Sequence, residues 1–321
     1  MRTRKAATAA LILSLSLSLA ACGGAKSGDG EPAPSAGAKG TVQIAVNPWV
    51  GYEADAAVIG YLLKNKLGYP VAEKQLKEEI SWQGFETGEV DVILENWGHD
   101  DLKKKYIEQK KVAVLAGPTG NKGGIGWYVP QWMADQYPDI TDYRNLNKYA
   151  GLFKTSESKG KGQFLAGDPS FVTNDAALVS NLKLNYTVVY SGSEAAIVKA
   201  ARQATAQKKP LLFYFYEPQW LFAKEKYARV ALPPYTAGCD AKPKLIACDY
   251  PQYDLDKIVS KKFADANSTA YQLIKNFRWT NEDQSLVADY LTNQSMKPDQ
   301  AAEKWVNEHE ATWKPWIPAG S

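Results

Sequence analysis

The sequence predicts an α/β protein with mostly parallel sheets and right-handed crossovers, folded as two lobes. Two observations carry that prediction. Short apolar runs alternate with amphipathic stretches from Thr41 to Tyr216, the rhythm of strand–helix–strand units. The part of the chain beyond residue 40, about 280 residues, is also longer than one hydrophobic core usually supports, which favours two lobes with room for a cleft between them.

The elements follow in order. Thr41–Val46 reads as a strand, and the spacing of Ala56, Val58, Ile59, Leu62 and Leu63, closed by Gly68, predicts a helix. Val90–Leu94 is the next strand, Asp101–Lys110 a helix, and Val112–Leu115 and Ile125–Val129 two further strands. A second set comprises a helix over Asp142–Lys154, strand Gln163–Ala166, helix Asn174–Leu184, strand Thr187–Tyr190, helix Glu194–Gln207 and strand Leu211–Tyr216. From Asp254 to Trp316 the pattern predicts an almost wholly helical tail, packed back on the first lobe.

The N-terminus predicts export. Arg2, Arg4 and Lys5 precede an apolar Ala/Leu/Ser run from Ala6 to Ala21, which ends in Leu19-Ala20-Ala21-Cys22. The run is too short and too rich in serine for a spanning helix, so residues 1–21 read as a cleaved secretory signal. The pattern resembles bacterial lipoproteins, which implies that Cys22 is lipidated and holds the protein on the outside of the cell membrane; an ordinary signal with a chance cysteine is the other reading. Residues 22–40 carry no large apolar side chain beyond Cys22. They cannot bury enough surface to offset ordering entropy, and are expected to act as a flexible tether.

The formal charge of +3 includes the three basic residues of the leader, so the remainder is neutral. A neutral chain is a poor candidate for nucleic acid. Beyond Cys22 the only cysteines are Cys239 and Cys248, close together in GCDAKPKLIACDYP. In an oxidising compartment they read as a local disulfide, and no nearby histidine completes a zinc set. Catalytic signatures are lacking as well. The two histidines are His99 and His309, and neither a G-x-S-x-G elbow nor a G-x-x-x-x-G-K-S/T phosphate loop is present. No metal, cofactor or catalytic residue is expected.

The chain is instead rich in rings, with ten tryptophans and eighteen tyrosines. Several stand where strands end: Trp49 in NPWVGYEAD, Trp97 in ENWGHD, Phe171 in GDPSFVTND, Tyr216 and Trp220 in LFYFYEPQW. Ligands of open α/β sheets bind at the carboxyl ends of strands, and ring faces gathered there attract cations that have no hydrogen to donate, above all quaternary ammonium groups. Core packing is the alternative for any one of these rings. Trp82, Trp132, Trp279, Trp305, Trp313 and Trp316 lie in helical contexts and are assigned to packing.

At this point the sequence resembles the substrate-binding proteins of glycine betaine/proline betaine ABC transporters, part of the quaternary-amine uptake group. Asn47-Pro48, GEVDVILENW ending at Trp97, Gly-Asp-Pro-Ser-Phe at 167–171 and FYFYEPQW at 213–220 carry the resemblance over nearly all of Thr41–Trp316. It implies a periplasmic-binding-protein-like fold (type II), with one lobe from residues 41–126 and 232–318 and the other from 127–231. Closure of the lobes about hinge strands would hold the ligand and present it to ABC permease subunits. Trp97 matches a ring of the family's aromatic cage; Phe171 and Tyr216 stand where relatives often have tryptophan. Trp49 matches a cage residue of the choline-binding branch, which keeps choline open as an alternative ligand. For a betaine carboxylate, the Val172 and Thr173 amides at the start of the helix 174–184 are the expected donors. His99 is either a further donor or a solvated loop residue. Asp168 and Glu217 flank the cage and either add negative potential toward the ammonium or cap helices, capping being expected of Asp168. From a different class, a surface-anchored carbohydrate-active hydrolase would also gather rings, but it would need paired carboxylates.

Overall fold

The computed structural model describes residues 39–320. The expected leader over 1–21, Cys22 and all but the end of the tether lie outside the described residues. Lys39 onward forms one compact unit.

The strands are β1 (Val42–Val46), β2 (Val71–Gln75), β3 (Val92–Asn96), β4 (Ala113–Pro130), β5 (Gly162–Ala166), β6 (Tyr186–Tyr190), β7 (Phe213–Glu217), β8 (Tyr227–Val230) and β9 (Gln252–Ser260). The first helices are α1 (Val50–Asn65), α2 (Glu78–Thr87), α3 (Asp100–Lys103, continued by a π-helical turn to Gln109), α4 (Gln131–Gln136), α5 (Leu146–Tyr149), α6 (Asp175–Asn181), α7 (Glu194–Ala206) and α8 (Leu221–Lys224). After β9 come α9 (Lys261–Asp265), α10 (Thr269–Asn276), α11 (Asn281–Thr292), α12 (Pro298–Glu308) and α13 (Glu310–Trp313).

The strands form a continuous sheet in the order β2-β1-β3-β9-β4-β7-β5-β6, with β8 pairing β4. It has two halves of different origin. In the first, β1 runs parallel to β2 and β3; in the second, β5 runs parallel to β6 and β7. The helical crossovers between these strands account for the parallel pairing. Between the halves, β4 and β9 run antiparallel to each other and bind β7 and β3 respectively.

Several sequence expectations need correction. Residues 252–260 are strand rather than the start of a helical tail. Tyr253, Leu255 and Val259 alternate there with acidic or polar neighbours, a period of two that Lys257 interrupts. The two strands expected over 112–115 and 125–129 are one strand, β4; its glycine-rich middle reads as a loop but stays paired to β9 through register shifts after Leu115 and Pro118. Short 3-10 turns at Tyr143–Asn145 and Ala150–Phe153 break the helix expected over 142–154. The strands β2 and β8, which the pattern did not predict, lie half exposed beside better-buried neighbours.

The core on the first half is built on α1, whose Ala-rich and Leu-rich sequence suits a helix buried on nearly every side. It packs against α11 and α12, so the C-terminal helices do close over the first half as expected. Phe277, Trp279, Trp305 and Trp316 form a ring cluster with centroids 5.0–5.9 Å apart, and His309 stacks on Trp305 at 4.9 Å. These rings pack, as does the fully buried Trp82.

Candidate functional site

The ends of β1, β3 and β7 and the loop after β5 bring rings to one point between the sheet halves. Trp49 follows β1 and Trp97 follows β3; Tyr214 and Tyr216 share one face of β7 because side chains repeat every two residues along a strand. Phe171 comes from the loop after β5. Trp49, Trp97, Phe171, Val172, Tyr214, Tyr216, Ile125 and Glu78 together line one small cavity. Its four outer rings are shut from solvent, with Trp49, Trp97, Phe171 and Tyr216 only 4–9 % exposed.

The rings meet edge to face. Trp97 lies 5.5 Å from Tyr216, and Trp49 lies 5.8 Å from Phe171, at interplanar angles near perpendicular. Two glycines make room for them. A Cβ on Gly123 of β4 would stand 2.7 Å from Cζ3 of Trp97, and one on Gly167 would stand 2.9 Å from Cδ2 of Phe171.

Buried hydrogen bonds fix the rings from behind. The indole nitrogens of Trp49 and Trp97 both donate to Oε1 of Glu95, at 2.7 and 2.6 Å. Nε2 of Gln284 donates to Oε2 of the same carboxylate. Gln284 is delivered by α11, whose start is held by a reciprocal cap: Asp283 N–H donates to Thr280 Oγ1 and Thr280 N–H to the Asp283 carboxylate, each at 3.1 Å. On the opposite side, the Tyr216 hydroxyl donates to Glu194 Oε1 at 2.6 Å and the Val50 amide donates to Glu194 Oε2 at 2.8 Å. Burial raises the pKa of both glutamates, against the pull of these donors.

The loop carrying Phe171 is also tied down. Tyr214 donates to the Val172 carbonyl at 3.0 Å. Asp175, at the start of α6, accepts from Trp127, Tyr250 and Thr173 at 2.7–2.8 Å. The Asn174 amide is taken by Tyr250 Oη at 2.7 Å, whereas no hydrogen bond among the described residues uses the Val172 or Thr173 amide.

The structure thus brings Trp49, Trp97, Phe171, Val172 and Tyr216 together on one cavity. Thr173 sits one residue beyond it, with its hydroxyl on Asp175. His99 does not line the cavity: its Nε2 lies 2.9 Å from Oε1 of Glu78, the only acidic residue on the wall. Burial pulls the His99 pKa down, but Glu78 outweighs that and leaves it raised. Asp168 accepts from the Ser170 amide and hydroxyl at 2.8 and 2.6 Å, capping its own loop, and Glu217 is exposed. Trp220 lies outside, beneath Arg202 in an open groove faced by Glu53 and Lys199. Cys239 and Cys248 are joined by a disulfide. Among the described residues no group of side chains could hold a metal ion, and no helix is long and apolar enough to cross a membrane.

Sequence reasoning missed Glu78, Ile125, Tyr214 and the carboxylates behind the rings. Only Tyr214 left a signal, its spacing of two from Tyr216.

An α/β sheet in two halves with a ring-lined cavity at its strand ends suits a small solute. The family comparison makes the class specific. The chain belongs to the family described as the substrate binding domain of the ABC-type glycine betaine transport system, which matches residues 40–308. It is a transport substrate-binding protein.

A similar protein is the trimethylamine N-oxide-binding protein of Pelagibacter ubique, 22 % identical over 300 residues, 88 % of this chain and 92 % of that one. Lactococcal OpuAC, solved closed on glycine betaine, superposes with a TM-score of 0.67 at 22 % identity, over 87 % of this chain and all of that one. A choline-binding ABC-transporter protein in complex with choline gives 0.68 at 17 % identity, over 86 % of this chain and 91 % of that one. At these identities the two structures establish the fold.

Proposed function

We propose that this protein captures a small methylated ammonium solute, glycine betaine first, in the ring-lined cavity and delivers it to an ABC permease. The observation that carries the reading is a cavity with five largely buried aromatic rings and no Lys or Arg on its wall. Ring faces replace water around a cation that has no N–H to satisfy, at roughly 0.5–2 kcal/mol each when desolvated. The Val172 and Thr173 amides are assigned to the carboxylate of a betaine, since nothing else among the described residues takes them up.

In this reading residues 41–126 and 232–318 form one lobe, residues 127–231 the other, and β4 and β9 are the hinge. The bond from Val50 to Glu194 joins the lobes when closed. The protein works outside the cytoplasm, exported by residues 1–21 and anchored through a lipid on Cys22. It performs no chemistry on its ligand; the cavity wall offers Glu78 alone, without the partner carboxylate a glycoside hydrolase needs.

Calorimetric titration with glycine betaine, proline betaine, choline, carnitine, trimethylamine N-oxide, ectoine and glycine tests the proposal. Glycine betaine is expected to bind and glycine hardly at all, because an ordinary ammonium would leave N–H donors unpaired among rings. Failure of every methylated ammonium to bind would overturn it. A second reading, a choline-like ligand without a carboxylate, is favoured by Glu78 on the wall beside Trp49. If the betaine assignment holds, choline binds more weakly by about 1.5–3 kcal/mol, the worth of a hydrogen bond to a charged group. Tighter binding of choline would decide for the second reading.

A further inference from the structure

Glu95 lies wholly out of contact with solvent, one layer behind the rings, at 1 % exposure. A buried carboxylate is costly unless paired or fully hydrogen-bonded, yet among the described residues no Lys or Arg forms an ion pair with it. We propose that Glu95 is the positioning and charge-supplying residue of the cage: it fixes the Trp49 and Trp97 indoles through their nitrogens and directs an unneutralised negative charge at a methylated ammonium held between them. This inference rests on the functional reading above.

Burial raises the Glu95 pKa, and the donor geometry is what favours the ionised carboxylate against it. Oε1 accepts two indole N–H groups and Oε2 accepts the Gln284 amide. Each oxygen therefore faces donors, and a proton on either would be set against an N–H. Asp55, buried beside it, takes the complementary role. Burial and then the neighbouring Glu95 charge raise its pKa well above the ordinary range, which favours leaving the charge of the pair on Glu95. The pair then holds one negative charge. Among the described residues Lys257 forms no ion pair with either carboxylate, and burial draws its ammonium down to about 7, which weakens it as a counter-charge.

Two consequences follow for the ligand. The charge sits in a medium of low dielectric, where its field on a nearby cation is screened far less than in water. An indole that donates its N–H to an anion is also polarised toward the ring, which enriches the face a cation meets. Because both tryptophans share one oxygen atom, they are also fixed relative to each other, although one comes from the end of β1 and the other from the end of β3.

The test uses ligand pairs in which carbon replaces the cationic nitrogen: choline against 3,3-dimethylbutan-1-ol, and glycine betaine against 3,3-dimethylbutanoate. Affinities are measured for the wild type and for Glu95→Gln. The wild type is expected to prefer the cation of whichever pair it binds, and Glu95→Gln to lose about tenfold of that preference while its affinity for the carbon analogue changes little. A residue that only propped the rings would lower both members together. A wild-type preference that survives in Glu95→Gln overturns this inference alone; a wild type that binds neither cation overturns the functional reading and this inference with it. Should Glu95→Gln fail to fold, Glu95→Gln combined with Gln284→Glu keeps volume and total charge but withdraws the carboxylate from the indoles. The same loss is expected there, and its absence counts equally against the inference.

Discussion

Trp49, Trp97, Phe171 and Tyr216 were legible because a ring at a strand end carries its chemistry in its identity. Glu95 was not, since a carboxylate two residues before Trp97 reads as an outward polar residue until Gln284, far away in sequence, is placed over it. Trp97→Ala, Phe171→Ala and Tyr216→Ala are each expected to weaken binding of the preferred methylated ammonium by at least about 1 kcal/mol. Trp305→Ala, in the ring cluster of the C-terminal helices, is expected to lower stability and leave the dissociation constant of the folded protein unchanged; calorimetry beside urea unfolding separates the two. His99 yields a pH prediction of definite sign. Its folded pKa is raised above the ordinary value of 6.5 by Glu78. The pair therefore contributes stability that is fully present below about pH 6.5 and is lost as pH rises through the raised value. Urea midpoints measured across that range should show the wild-type advantage over His99→Gln shrinking as pH increases. Parallel curves would show that the pair is energetically silent.

Elements with clean periodicity, such as β1, β5 and α7, were read within a residue of their observed bounds, whereas α1 begins at Val50, six residues before the apolar spacing that revealed it. The misread ones share a cause: their regular pattern is interrupted by residues serving another purpose. Glycines in β4 accommodate the register shifts against β9 and the approach of Trp97, and Lys257 in β9 serves a neighbouring helix. Its Nζ donates to the carbonyls of Lys275 and Phe277 at 3.2 and 2.5 Å, closing the end of α10. Burial, then Arg278, brings the Lys257 pKa from 10.5 to about 7. The unfolded chain thus binds more protons than the folded one between about pH 7 and 10.5, so this residue makes stability rise with pH over that window. Lys257→Met should flatten the rise, seen as a smaller change in denaturant midpoint from pH 7 to 9.5. A slope equal to that of the wild type would mean that the lysine stays charged in the fold.

For the molecule as a whole, alternation foretold the α/β class, but it could not show that β4 and β9 pair antiparallel and make one continuous, mixed sheet. Composition and context did foretell the bond between Cys239 and Cys248, which closes a short loop between β8 and β9. Its reduction is expected to lower stability by about 2–3 kcal/mol, measured as unfolding with and without reductant; two free thiols by mass spectrometry in exported protein would contradict the pairing. The contacts behind the cage also impose an order in time. Val50 meets Glu194 across 144 positions, and Glu95 meets Gln284 across 189. Loop-closure entropy makes such pairings slow and late. A chain emerging from its N-terminus carries Trp49, Glu95 and Trp97 long before residue 284 exists, so the donor to the second oxygen of Glu95 must wait for almost the whole protein. The full set of contacts behind the rings is then among the last parts of the fold to be completed.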